Sequence, residues 1–337
     1  MRRKTKIMYA SPARPIKMFS TATLETLFLA WNTIFDLVQP DLVVTDHSPT
    51  ALLALRGRPI RKVNLGLAFY CPPQGFPLPY WSFGGYLSSR LQVEHDERAL
   101  TDTVNQLLRK YHRPTINQLS EIFTDIDETV LATFREFDHF PSRPEGTRYW
   151  GHWHSGAGIV PRWPEENAAG GRPHRIFAYL KGFPGVEEVL KQLAQSGGST
   201  IVLSGELPEQ LQRKYASKSL RFETEPMEMA RVAQECDIAV LSGGHGTTAS
   251  ILLAGKPMVL VPVYVEQLLN AQAVARMGAG RWVSPHTPQQ FGAVLSDVLM
   301  NPTYRTGAKA FAAKYTGFVP GQQLSEIVDQ LESLLKS

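Results

Sequence analysis

Apolar side chains recur every three or four positions near the start of the chain. Leu24, Leu27, Phe28, Trp31, Ile34, Phe35 and Val38 share a face, which predicts an amphipathic helix over residues 21–38, opened after Ser20 and stopped by Pro40. Leu42-Val43-Val44-Thr45 reads as a short buried strand, and the next helix starts between Pro49 and Leu55. Helix, strand and helix with short connections imply α/β architecture around a parallel sheet. Residues 96–111 read as helix and 129–133 as strand. Residues 71–85 (CPPQGFPLPYWSFGG) hold too much Pro, Gly and aromatic character for either, and are expected to form a long surface loop of the kind that often serves function.

Residues 140–173 break the pattern. Pro, Gly and Trp dominate there and no period persists, so the domain boundary falls inside this stretch. Alternation then resumes, with strands expected at 175–180, 200–203, 220–222, 238–241, 258–261 and 281–283. Helices are expected at 186–195, 227–235, 247–254 and 267–277, then at about 288–300, 303–315 and 321–336. This is the pattern of a doubly wound α/β domain, whose ligand belongs at the carboxyl ends of its strands. The implied organisation is a partial α/β domain over 1–145, a linker over 146–173, a ligand-binding α/β domain over 174–320 and a closing helix over 321–337.

Composition narrows the functional classes. A chain of 337 residues with 43% hydrophobic and 20% charged residues is an ordinary globular one, long enough for two cores. No apolar run approaches the roughly 18 to 20 residues of a membrane-spanning helix. The basic MRRKTK start is followed by no apolar stretch, so a signal peptide is not expected. Two cysteines, Cys71 and Cys236, make neither a disulfide framework nor a four-ligand zinc site. A cytoplasmic protein without a metal is the expectation. Residues 1–20 carry six Lys and Arg and no acid, against a net charge of +4 for the whole chain, so the remainder is net acidic. Nucleic-acid binding, which needs cations spread over a folded face, is not expected. The leader suits a solvated terminus, or peripheral contact with the anionic inner face of a membrane.

Candidate chemistry concentrates in residues 237–271, DIAVLSGGHGTTASILLAGKPMVLVPVYVEQLLNA. A strand ending at Leu241 runs into a glycine-rich turn, and a helix opens near Gly246 or Thr247. Gly243, Gly244 and Gly246 let a ligand approach the backbone, the helix start offers free N–H groups to a phosphate, and Thr247 and Thr248 add hydroxyls. Such a turn serves packing as readily as binding. It lacks the Lys-Ser/Thr of a P-loop and the spacing of a dinucleotide fingerprint. Further on, Glu266-Gln267 with Asn270 follows the next strand. A carboxylate beside an amide can hold vicinal hydroxyls, and the alternative for the pair is an N-terminal helix cap. Phosphate donors on one turn and hydroxyl acceptors on the next describe a nucleotide-sugar pocket.

This segment resembles the donor-binding motif of UDP-glucuronosyltransferase-like glycosyltransferases, two-domain GT-B enzymes with two Rossmann-like domains, and the likeness runs back to about residue 36. The resemblance implies an inverting, metal-independent transfer from a nucleotide-diphosphate sugar, UDP-type first, to a hydroxyl of a small or lipid-like acceptor. It assigns the diphosphate to Gly243, Gly244, His245, Gly246, Thr247 and Thr248, and the sugar hydroxyls to Glu266 and Gln267. Two positions depart from the family. Ser242 stands where many members have a phosphate-binding histidine, which leaves His245 to supply part of that contact, and Ser250 stands where many have a ribose-binding glutamate.

In the first half, Asp41-Leu42-Val43-Val44-Thr45-Asp46 is similar to the family strand whose final aspartate orients a histidine base; an aspartate there also serves as a simple cap. The glycine-rich loop that carries the histidine has no match. The N-terminal domain is therefore expected to be shortened by about 80 to 120 residues relative to a full domain pair, with transfer impaired. His47 is no substitute if strand alternation turns it away from Asp46. The aromatic stretch 69–83 suits an acceptor pocket or a packed cover. His152 and His154 in GHWHSG lack the further ligands of a metal site and read as linker structure. A fold-retaining accessory protein and a nucleotide-sugar epimerase are the alternatives to a transferase.

Overall fold

The computed structural model describes residues 21–78, 90–153, 156–164 and 174–336. The basic leader, much of the aromatic stretch and His154 lie outside them. The chain divides into two compact units: Met1–Gly151 with Gly321–Ser337, and His152–Pro320.

In the first unit, helix α1 (Thr21–Val38) turns Leu24, Phe28 and Phe35 inward, and Gln39 stops it ahead of Pro40 with a left-handed φ of 49°. Strand β1 (Leu42–Asp46) follows, then α2 (Pro49–Leu55), buried along its whole length and opened by a proline whose missing N–H costs nothing at that position. Strand β2 (Arg61–Gly66) pairs in parallel with β1, and β3 (Glu128–Leu131) pairs in parallel with β2. β2 is absent from the sequence reading because polar Arg61, Lys62 and Asn64 interrupt its apolar signal. Asn64 is nonetheless buried, where its side-chain oxygen accepts from the Thr45 hydroxyl at 3.2 Å.

Helix α3 (Arg90–Lys110) begins earlier than the periodicity suggests and holds the loop beside it. Its buried Glu97 accepts hydrogen bonds from the Leu78 N–H at 2.6 Å and the Leu119 N–H at 3.2 Å. The expected surface loop is therefore not all surface, since Cys71, Pro72 and Pro73 are buried. Helix α4 (Glu121–Thr124) is a single turn. The final helix, α12 (Pro320–Leu334), lies mostly in the first unit, where Arg148 pairs with Glu326 and also stacks over Trp150.

The second unit is built on six parallel strands: β4 (Arg175–Tyr179), β5 (Ser199–Leu203), β6 (Leu220–Glu223), β7 (Ile238–Leu241), β8 (Met258–Leu260) and β9 (Gly280–Trp282). Their order is β6-β5-β4-β7-β8-β9. Helices α5 (Val186–Gln195), α6 (Glu209–Tyr215), α7 (Met229–Glu235), α8 (His245–Leu253), α9 (Val265–Arg276), α10 (Phe291–Met300) and α11 (Pro302–Lys314) complete it. β7 is buried at every position, which explains its unbroken apolar run, and β5 is equally buried although it opens on Ser199 and Thr200. α6 went unread because none of its residues is buried, so it has no apolar stripe to detect. Among the described residues no helix is long and apolar enough to cross a membrane, and no cluster of His, Cys, Asp and Glu could hold a metal.

Candidate functional site

The strand order reverses between β4 and β7, so the connections leaving these two strands diverge and open a crevice at their carboxyl ends. The glycine turn sits on that crevice. Ser242, directly after β7, ties the two sides together. Its N–H donates to the Tyr179 carbonyl at 3.2 Å, and its hydroxyl accepts from the Lys181 N–H at 3.2 Å.

The glycines of the turn play different parts. Gly243 has φ +87°, and a Cβ there would stand 2.8 Å from the Gln267 carbonyl oxygen, so the position admits only glycine. Gly244 has φ −60° and ψ 134°, ordinary for any residue, yet a Cβ there would meet nothing within 4 Å. The backbone at Gly244 therefore faces open space at the start of α8. That helix opens at His245, slightly earlier than expected, so the N–H groups of His245, Gly246 and Thr247 form its first turn. His245 itself is buried.

The hydroxyls divide likewise. Thr248 is wholly buried and donates to the Gly244 carbonyl at 2.8 Å, while Ser250 donates to the Gly246 carbonyl at 3.0 Å. Both protons stay within the helix. Thr247, in contrast, lines a cavity of about 350 Å³ at the ends of β4, β5 and β6, together with Tyr179, Lys181, Leu203, Glu206 and Met227.

Asn270, buried on α9, donates to the Gly243 carbonyl at 3.0 Å and to the Glu266 carboxylate at 2.6 Å. One amide thus fixes the turn and the carboxylate relative to each other. Glu266 keeps a partly exposed edge, but burial pushes its carboxyl up to about 7, against the pull of the Asn270 hydrogen bond and the Lys181 charge. Gln267 is buried, and its side-chain oxygen accepts from the Val263 N–H at 2.9 Å and the Tyr264 N–H at 3.2 Å. That oxygen caps α9. The pair is thus split in role, with the capping alternative describing the Gln267 oxygen and the carboxylate left beside the crevice.

Two side chains here were not read as site residues. Lys181 follows β4 and lines the cavity, with its ammonium 5.4 Å from the centre of the Tyr264 ring. His152 lies against the first turn of α8: a Cβ on Gly246 would stand 3.0 Å from its Cε1, and its ring centre is 5.6 Å from that of His245. The position of Lys181 was legible, because it follows an expected strand on the side where ligands bind. That of His152 was not, since only the fold carries residue 152 to residue 246.

In the first unit, Asp46 closes β1 with its side chain exposed. His47 takes a left-handed φ of 47°, so strand alternation does not govern it, and its ring lies 3.9 Å, centre to centre, from that of Tyr70.

Comparison with known proteins agrees with this architecture. Residues 189–334 match the family model described as erythromycin biosynthesis protein CIII-like, C-terminal domain. The chain is 26% identical to a PGL/p-HBAD biosynthesis glycosyltransferase of Mycobacterium tuberculosis, an alignment covering 89% of this chain and 73% of that protein. It is 27% identical to a PGL/p-HBAD biosynthesis rhamnosyltransferase of Mycobacterium bovis, over 88% of this chain and 68% of the relative. Among solved structures, the glycosyltransferase VinC in complex with DTDP superposes with a TM-score of 0.62 at 15% identity, covering 98% of this chain and 84% of that one. The fold is GT-B, and within it the second unit is similar to the EryCIII-like C-terminal domain.

Proposed function

We propose that this chain transfers a sugar from a nucleoside-diphosphate sugar to a hydroxyl group of a natural-product or lipid-like acceptor, with inversion at the anomeric carbon. In that reaction the acceptor oxygen bonds to the anomeric carbon from one face while the bond to the diphosphate breaks on the other. The electron pair leaves with the β-phosphate oxygen, and the acceptor proton is released to the medium. The observation that carries the reading is the Asn270 bridge, which holds a helix N-terminus suited to phosphate and a carboxylate suited to sugar hydroxyls in one rigid arrangement.

Further support comes from the relatives. Those named above are transferases, which favours neither the accessory-protein nor the epimerase alternative. VinC, the structural neighbour, holds a thymidine nucleotide, so TDP-sugars stand beside UDP-sugars as donor candidates. The donor site lies in the second unit, and Asp46 contributes on the acceptor side in the first. Contact with a membrane surface through the basic leader would suit a lipid-like acceptor.

The test is a transfer assay with UDP- and TDP-hexoses and a panel of phenolic and macrolide alcohols, following free nucleoside diphosphate and the anomeric configuration of the product. Acceptor-dependent release of diphosphate, with β-linked product from an α-linked donor, is the expected result. Release of diphosphate without any acceptor, or a product that retains the donor configuration, contradicts the proposal.

A further inference from the structure

A departing nucleoside diphosphate carries more charge than a helix terminus can balance, since the end of a helix supplies only about half an elementary charge. The side chains tied to the glycine turn do little to close that gap. Ser242 and Asn270 are neutral, Thr248 spends its proton within the helix, and Glu266 is an acid. Among the described residues lining the cavity, Lys181 is the one cation.

Its setting is specific. The Lys181 backbone N–H is anchored on the Ser242 hydroxyl, the first residue of the turn. Its ammonium lies over the Tyr264 ring, one residue before α9 and two before Glu266. The backbone of Lys181 is thus tied to the turn and its ammonium lies by the residue that precedes α9, at the edge of a cavity it shares with Thr247 of α8.

We propose that Lys181 binds the diphosphate of the donor, neutralising the charge that develops as the sugar–phosphate bond breaks. The inference rests on reading the second unit as a nucleotide-sugar site, and it assigns to a side chain just after β4 a contact that the turn after β7 does not make alone. A lysine is suited to this as a compact, strongly charged donor that need not match one planar geometry. The Lys181 charge also acts on Glu266, pulling its carboxyl down against the effect of burial.

The test compares wild type, Lys181→Met and Lys181→Arg by calorimetric titration with UDP and TDP, and with uridine and thymidine, which lack phosphate. Lys181→Met is expected to weaken the diphosphates by about 10- to 100-fold, the loss of one charge-assisted contact. It should leave the nucleosides unchanged, which shows at once that the variant folds. Lys181→Arg should recover most of the loss, and the salt dependence of diphosphate binding should flatten in Lys181→Met. Unchanged diphosphate affinity overturns the inference, because the lysine then serves Glu266 alone. An equal loss for nucleoside and diphosphate also overturns it, because the residue then only shapes the cavity. Failure of the wild type to bind any of the four probes is a different result, which removes the donor site itself.

Discussion

Glu266 shows how much one side chain's surroundings decide. Burial raises its carboxyl to about 7, well above the usual range near 4.3 in an unfolded chain. The folded protein therefore binds a proton at this residue that the unfolded chain releases. Its contribution is most favourable below about pH 4, weakens as pH rises and is lost above about 7. Glu266→Gln should accordingly melt higher than wild type at pH 8, with the difference vanishing near pH 4; a constant difference across that range would show that the carboxyl is not perturbed. Gly243 is the other residue whose environment is unforgiving. Gly243→Ala meets both the positive φ and the Gln267 carbonyl, and should lower stability by about 1–3 kcal/mol in urea denaturation. The same change at Gly244, with ordinary φ and open space, should leave the denaturation midpoint where it was.

At the level of elements, the strands and helices with one continuous apolar face were legible from the sequence, and those without were not. α5 has the bounds that its periodicity suggests, because Val186, Val189, Leu190 and Leu193 are all buried on one side. β2 and α6 escaped notice because the first buries polar residues and the second buries none. The loop after β2 was misread in part for a related reason: beyond its buried Cys71–Pro73 stretch, the backbone at Leu78 is held by a carboxylate. Glu97 is that carboxylate, and Glu97→Ala leaves the Leu78 and Leu119 N–H groups without their acceptor. The expected cost is about 2–4 kcal/mol from two stranded donors. Hydrogen exchange should quicken at those two amides ahead of the amides of α3, and equal protection in the variant would contradict the clamp.

For the whole molecule, the sequence pointed to a GT-B fold and to a narrower likeness with UDP-glucuronosyltransferase-like enzymes; the fold agrees, while the likeness found over residues 189–334 is to the EryCIII-like C-terminal domain. The donor segment could be located because phosphate and hydroxyl chemistry fall on consecutive turns of one stretch of chain. What stayed hidden was the division of labour within it. Gln267 and Thr248 turn toward their own helices, and His152 arrives from elsewhere in the sequence, so spacing along the chain carries no sign of it.

The central claim is that the glycine turn of the second unit holds a nucleoside diphosphate. Calorimetric titration of the full chain with UDP, TDP and GDP tests it most directly, with Gly244→Trp as the blocked site. Gly244 has an ordinary φ, and a Cβ there starts in open space, so the variant is expected to fold. Micromolar binding of one of the three is expected, abolished in a Gly244→Trp protein that melts like wild type. Binding that persists in this variant would place the nucleotide elsewhere, and no binding of any of the three would contradict the donor site outright.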